Sequence, residues 1–268
     1  PLFNLPAEKI RVIQTETGGG FGGKEEYPSM IAGHAALLAW KSGKPVKLIY
    51  DRMEDMVATT KRHPSKTVIR TAFDHQNKLI AIDIDFTIDG GAYCTLSPVV
   101  LSRGTLHASG PYFSPNVKIR SRALATNTPP HGAFRGFGAP QSLFALEKHM
   151  DYCARKLNVD PVTFRKSNLI QQGQMLGCGQ IVNEKIKIKD VLDRALKESD
   201  FKRKQKRFRQ HNKKSPLKKG IGLSVFMHGA GFTGSGETFL ASIASVKATP
   251  EGKIEVLTSN TEIGQGTN

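Results

Sequence analysis

The chain has 268 residues, 38% hydrophobic and 23% charged, a balance that suits one large or two modest folded domains and excludes a disordered polymer or a collagen-like repeat. No uninterrupted apolar run approaches the roughly 20 residues that cross a bilayer, and residues 1–10 lack a signal peptide's layout, so an aqueous protein with no membrane partner is expected. The formal charge of +16 is uneven: ten Lys and Arg residues lie between Lys202 and Lys219 with no acidic residue among them.

Taken in chain order, residues 9–15 read as a strand, the glycine-rich residues 18–23 as a turn, residues 28–40 as a helix and residues 46–50 as a second short strand. Residues 67–73 and 79–88 predict an antiparallel hairpin with one wet face, since Ile80, Ile82, Ile84, Phe86 and Ile88 alternate with Ala81, Asp83, Asp85, Thr87 and Asp89. Residues 90–138 show little periodicity and read as a long functional loop. Helix resumes after Pro140, with Leu143, Leu146, Met150, Cys153 or Ala154, and Leu157 on one face, and Asp160-Pro161 caps another helix. Residues 189–210 read as a further helix that becomes strongly basic. Strands follow at 220–226, 239–248 and 253–259, with residues 249–252 as the turn between the last two. The expected class is therefore α+β, mixed sheets with helices, and a domain boundary is expected within residues 212–220.

Cys94, Cys153 and Cys178 form no CxxC pair, which argues against a disulfide framework, a cysteine-built zinc site or an iron–sulfur cluster in this chain. Free thiols suit a reducing, cytoplasmic compartment. The chain begins at Pro1 without a methionine and stops just after Ile263-Gly264-Gln265-Gly266-Thr267, so it is expected to be a piece of something longer.

Gly18-Gly19-Gly20-Phe21-Gly22-Gly23-Lys24-Glu25 contains GxGxxG between a predicted strand and a helix, with Asp51 after the next strand. A dinucleotide-binding fold needs further βαβ units, and a hairpin follows instead. Five of the six residues 18–23 lack a side chain, so backbone N–H groups can approach an oxyanion, phosphate or oxo group at a helix start. The plainer alternative is a tight turn whose helix dipole is offset by Glu25 and Glu26. Residues 126–141 present Phe134, Arg135 and Phe137 from a backbone loosened by glycine; such a loop can set a flat apolar wall beside a cation, or anchor itself to the core through its aromatics.

The strings GGGFGGKE at residues 18–25, AFRGFGAPQ at 133–141 and TEIGQG at 261–266, together with Arg62-His63-Pro64 and Asn127-Thr128, closely resemble the molybdopterin-binding large subunit of the xanthine dehydrogenase and aldehyde oxidase family. The resemblance covers nearly the whole chain and is loosest in the basic stretch. It implies a first molybdopterin-binding domain over residues 1–212 and the start of a second over 220–268. It also implies hydroxylation of a heteroaromatic or aldehyde carbon at a molybdenum centre, with water supplying the oxygen. Electrons would leave through iron–sulfur clusters to a flavin (FAD) or another acceptor, on partner domains or subunits. In that family the pterin dithiolene holds the molybdenum, so no metal-ligating His or Cys set is expected from the chain.

Carried over by motif, Phe21 and Gly22 would lie beside the molybdenum oxo group, Gly264, Gln265 and Gly266 would contact the pterin and its phosphate, and Arg135 would sit next to the cofactor through its chain segment. In the purine-oxidising branch a Glu after GGGFGGK bonds the heterocycle and an Arg neutralises charge on the substrate's oxygen; Glu25 and Arg103 match these, whereas aldehyde-oxidising relatives are apolar there. Phe137 and Phe232 match the aromatic pair that brackets a planar substrate, with Thr233 alongside. The family's general base, a Glu close to the far C-terminus, has no counterpart here, so the piece is expected to be inactive without the remainder of its subunit, and oligomeric when complete. A hydroxylase of aldehydes or other heteroaromatics is the alternative within the family. Outside it, the basic stretch with Phe201 and Phe208 suggests a nucleic-acid-binding module, and an inert assembly domain is a third reading.

Overall fold

A computed structural model describes residues 2–15, 17–229, 241, 243–258 and 266. Its centre is a sheet of three strands in the order β1–β2–β3. The alternation expected for the second strand, β2 (Leu79–Gly91), buries Ile82, Ile84, Phe86 and Ile88 on one face. Strand β1 (Ser65–Phe73) pairs with it antiparallel, and Asp74 closes the turn by accepting the N–H groups of Gln76 and Lys78 at 2.8 Å. On the wet face Arg70 and Arg120 reach Asp83, and Arg122 reaches Asp85; these are solvent-screened pairs worth little each.

The span 90–138 departs from the expected irregular loop. It contains helix α3 (Ser97–Leu106) and strand β3 (Asn116–Ala125), which pairs parallel with β2, so that α3 is the crossover a parallel pair requires. Val117 and Ile119 meet Ile82 and Ile84 in register and extend the apolar face.

Over that face lies α4 (Ala139–Lys156), whose Leu143, Leu146, Met150, Cys153 and Ala154 are buried as the helical spacing predicts. Helix α5 (Pro161–Asn168) begins at Asp160, whose carboxylate accepts the Thr163 N–H at 2.9 Å. Its Phe164 packs in the core against Phe73, ring centroids 5.4 Å apart. The buried face also carries a charge: Glu147 accepts from Arg165 Nε at 3.0 Å, from the Tyr112 hydroxyl and from the Val225 N–H at 2.9 Å. Arg165 is wholly buried and also bonds Asp151. With every member bonded, this network ties α4, α5 and the chain at Val225 into one unit.

Helix α1 (Tyr27–Ser42) and α2 (Arg52–Ala58) precede the sheet; α2 starts at a capping box in which Asp51 and Glu54 satisfy each other's backbone N–H groups. The strands expected at 9–15 and 46–50 do not form. A short 3-10 turn occupies Ala7–Lys9 and the rest of both stretches is irregular, with no strand among the described residues paired to it. The same correction applies to residues 220–226.

The single helix expected over 189–210 is two, α6 (Ile188–Glu198) and α7 (Phe201–Lys214), broken at Asp200, which takes a left-handed φ of 52° that Asp tolerates better than most residues. Last comes an antiparallel pair, β4 (Ala244–Ala248) and β5 (Ile254–Thr258), joined by the expected turn; residues 239, 240, 242 and 259 lie outside the described residues. Helices with a mixed sheet make the class α+β, as expected. Among the described residues no helix is long and apolar enough to cross a membrane.

Candidate functional site

The turn at residues 18–23 owes its shape to positive φ at Gly19, Phe21 and Gly22. Crowding bears on Gly22 in particular: a Cβ there would come within 2.7 Å of the Phe134 backbone. The first glycine cluster therefore lies directly against the second motif, far away in sequence. Phe21 projects from this turn and is 64% exposed, while Gly18 has open space around it.

What clips the two motifs together is Glu26, which sequence alone suggests only as a partner for the helix dipole. Its Oε1 accepts the Leu96 N–H at 2.7 Å, at the N-terminus of α3, and its Oε2 accepts the Ala133 N–H at 3.2 Å. The space this needs comes from Gly132, where a Cβ would stand 1.6 Å from Oε2. A carboxylate at a helix N-terminus is favoured by the helix dipole as well as by these bonds. The signal is present as an acid following the glycine run, but two adjacent acids cannot be told apart by spacing alone. Glu25 itself is exposed at the entry to α1, and its carboxyl is held above the usual range, first by partial burial and then by the neighbouring Glu26 charge.

Arg62-His63 lies beneath the second motif. Arg62 donates to the Arg135 carbonyl at 2.6 Å and sits over the Phe134 ring at 4.7 Å, so residue 135 is fixed through its chain segment. His63 is buried with Nε2 2.8 Å from the Ser97 hydroxyl, and its carbonyl accepts from Gln141. Burial first, then the His131 ring, push the His63 imidazole down to about 4.

A histidine neutral in the fold and free to charge at about 6.5 when unfolded leaves stability complete above that value and erodes it as pH falls, by about 3 kcal/mol below pH 4. Urea midpoints of the complete subunit at pH 7.5, 5.5 and 4 are expected to fall accordingly, and His63→Asn to flatten that decline. Unchanged pH dependence in the variant would refute this assignment.

Arg103, expected on a loop, instead occupies the last turn of α3. Its guanidinium lies 5.9 Å from the centre of the Phe137 ring, and partial burial lowers its proton affinity from the ordinary value. Phe137 sits at φ 51° between Gly136 and Gly138. Close approach makes this pairing possible: a Cβ at Gly138 would stand 2.0 Å from the Val100 carbonyl oxygen, and one at Gly104 would strike the Phe86 ring at 2.5 Å. The wall thus combines a cation with a flat ring, an arrangement that can hold a planar, electron-rich ligand.

Nearby, a cleft of about 880 Å³ is lined by Leu106 and His107 at the end of α3, by residues 180–186 and by residues 227–229. Of the remaining sequence-predicted residues, Phe232, Thr233, Gly264 and Gln265 lie outside the described residues, and Gly266 is exposed with φ 78°.

A family model described as a molybdopterin cofactor-binding domain matches residues 1–169, and another of the same description matches residues 194–268. The chain is 37% identical over 265 residues to a probable xanthine dehydrogenase subunit of Bacillus subtilis, covering 99% of this chain and 34% of that protein. It is 38% identical over 194 residues to the nicotinate dehydrogenase large molybdopterin subunit of Eubacterium barkeri, covering 72% of this chain and 45% of that one. The structure of quinoline 2-oxidoreductase from Pseudomonas putida 86 superposes with a TM-score of 0.78 at 28% identity, over 94% of this chain and 33% of the other. The chain thus spans between a third and a half of the length of these proteins.

Proposed function

This chain belongs to the molybdopterin cofactor-binding subunits of the xanthine dehydrogenase and aldehyde oxidase family, and from that premise we propose that it forms part of a molybdenum hydroxylase acting on a purine-like nitrogen heterocycle. The observation that carries the substrate class is the Arg103 guanidinium set over Phe137 on one wall. A small aldehyde offers the cation one neutral carbonyl oxygen and no ring to stack, whereas a nitrogen heterocycle on whose oxygen or ring nitrogen charge builds gains both a strengthened charge-assisted hydrogen bond and a stacking surface. Two of the matched proteins carry the names of enzymes for xanthine and nicotinate, both nitrogen heterocycles.

The residues present fit the cofactor. Phe21 and Gly22 offer an exposed ring and a side-chain-free turn, and the backbone at Arg135, held by Arg62, stands behind them. Gly264, Gln265 and Gly266 complete the set by motif. The bound cofactor supplies the metal centre at which a substrate carbon is hydroxylated with oxygen from water. The chain's own part is positional: Phe137 stacks on the heterocycle, Phe232 and Thr233 join it by motif alone, Arg103 neutralises charge on the heteroatom, and Glu25, with its raised proton affinity, exchanges a hydrogen bond with a ring nitrogen.

Iron–sulfur and flavin domains or subunits are the partners, within a cytoplasmic oligomer suited to the free thiols Cys94, Cys153 and Cys178. We propose the division between the two molybdopterin-binding domains after α7, within residues 212–220, a reading supported by the Lys166–Asp193 ion pair between α5 and α6 and by the burial of Phe201. The complete polypeptide, purified from a host that makes molybdopterin, is expected to carry stoichiometric molybdenum and a fluorescent pterin. Its isolation free of both from such a host would overturn the proposal.

A further inference from the structure

The segment that follows the basic helix returns to the first module and is caught there twice. Val225 gives its N–H to Glu147, and four residues later Gly229 gives its N–H to Nε2 of His107 at 3.2 Å. His107 lies one helical turn beyond Arg103, and its Nδ1 stands 2.8 Å from the Arg103 carbonyl oxygen, which also accepts the His107 backbone N–H at 3.2 Å. The His228 ring stacks on that of His107 at 5.0 Å, and its Nε2 faces the Gly136 carbonyl at 3.4 Å, one residue before Phe137.

These contacts decide the proton's place. A backbone amide can only donate and a carbonyl can only accept, so the ring carries its proton on Nδ1 and keeps a lone pair on Nε2. Both bonds exist together only when the ring is neutral. Its surroundings favour that form: burial first, then the charges of His228 and Arg103, lower its proton affinity against the opposing pull of the Arg103 carbonyl. The other ionisable groups lining the same cleft are Cys178, Glu184 and Lys185.

We propose that neutral His107 is a positioning residue that locks the Arg103-bearing turn of α3 to the incoming segment at Gly229, and that its protonation opens the lock. The inference rests on the reading of Arg103 as the substrate's cation. In the sequence Gly229 stands three residues before Phe232, which motif alone pairs with Phe137, so the lock joins the chain of Arg103 to the segment that precedes that residue. A doubly protonated ring cannot accept the Gly229 N–H, so the lock is present above the ring's own proton affinity and lost as the pH falls through it, below the ordinary value of about 6.5.

The test uses the complete holoenzyme as wild type, His107→Phe, His107→Gln and Arg103→Met, with hypoxanthine as the probe and hydrogen exchange at the Gly229 amide as a readout independent of turnover. His107→Phe is expected to raise KM about tenfold with kcat within about threefold, and to speed Gly229 exchange at least tenfold. The Gln amide oxygen can still accept from Gly229, so His107→Gln is expected to restore most of the protection and to hold the Gly229 protection factor level as the pH falls, where that of the wild type drops. A Gly229 protection factor that still drops with pH in His107→Gln as it does in the wild type, or Gly229 exchange unaltered in His107→Phe, would overturn the lock. Arg103→Met with undiminished hypoxanthine turnover would instead overturn the substrate reading beneath it, while faster exchange in His107→Phe would still support the tether.

Discussion

Arg103→Met in the complete, cofactor-loaded enzyme is expected to lower kcat/KM for hypoxanthine about a hundredfold while changing that for a small aldehyde by less than about threefold. The first figure corresponds to roughly 3 kcal/mol, the upper range for a charge-assisted hydrogen bond in a water-poor site. Methionine keeps most of the side chain's length and its contact with the Phe137 ring, so the variant removes charge and leaves the wall's shape. The comparison of two substrates is what carries the result. A general disturbance of α3 would depress both activities together, and equal losses would sink the assignment to nitrogen heterocycles while leaving the family unaffected.

Glu26→Ala is expected to be the most damaging exchange away from the wall of Arg103 and Phe137. It strips the partner from two backbone N–H groups, Leu96 and Ala133, in a half-buried joint. At about 1.5–3 kcal/mol for each bond to a charged acceptor, a loss of about 3–6 kcal/mol follows, readable as a lower urea midpoint of the complete subunit. Because that joint holds the glycine turn against Phe134, molybdenum content should fall with it, and Glu26→Gln should recover part of the stability through its single remaining acceptor oxygen. A variant with unchanged midpoint and full metal content would show that the joint is held by something else.

Much of this was legible in the residues because it follows from short periods. The two-residue alternation of β2 and the helical spacing of α4 each declare a buried face within a dozen residues, and both faces meet in the core. Strand β3 carries the same alternation, Val117 and Ile119 against Lys118, Arg120 and Arg122, yet it was hidden by the Gly, Pro and Ser residues that surround it and by a crossover helix that opens on Ser97-Pro98. The stretches at 9–15 and 46–50 show the opposite failure: strand-like composition produces a strand only where a neighbour supplies the other half of the ladder. At the site, motif residues could be named singly from the sequence. Their mutual contacts, Gly22 on Phe134 and Arg103 on Phe137, are long-range, and no local pattern encodes them.

The bare meeting of Gly104 with Gly138 fixes how such a site can diversify. Phe86 and the Val100 carbonyl leave no room for a single added carbon at either glycine, so the jaw that carries Arg103 and Phe137 has one permitted gauge. A descendant enzyme fitting a wider ligand has to gain its clearance by shortening side chains at the rim or by rebuilding the facing jaw. Retuning of this lineage should therefore appear as swaps of what the jaw displays, with its hinge of glycines kept as inherited.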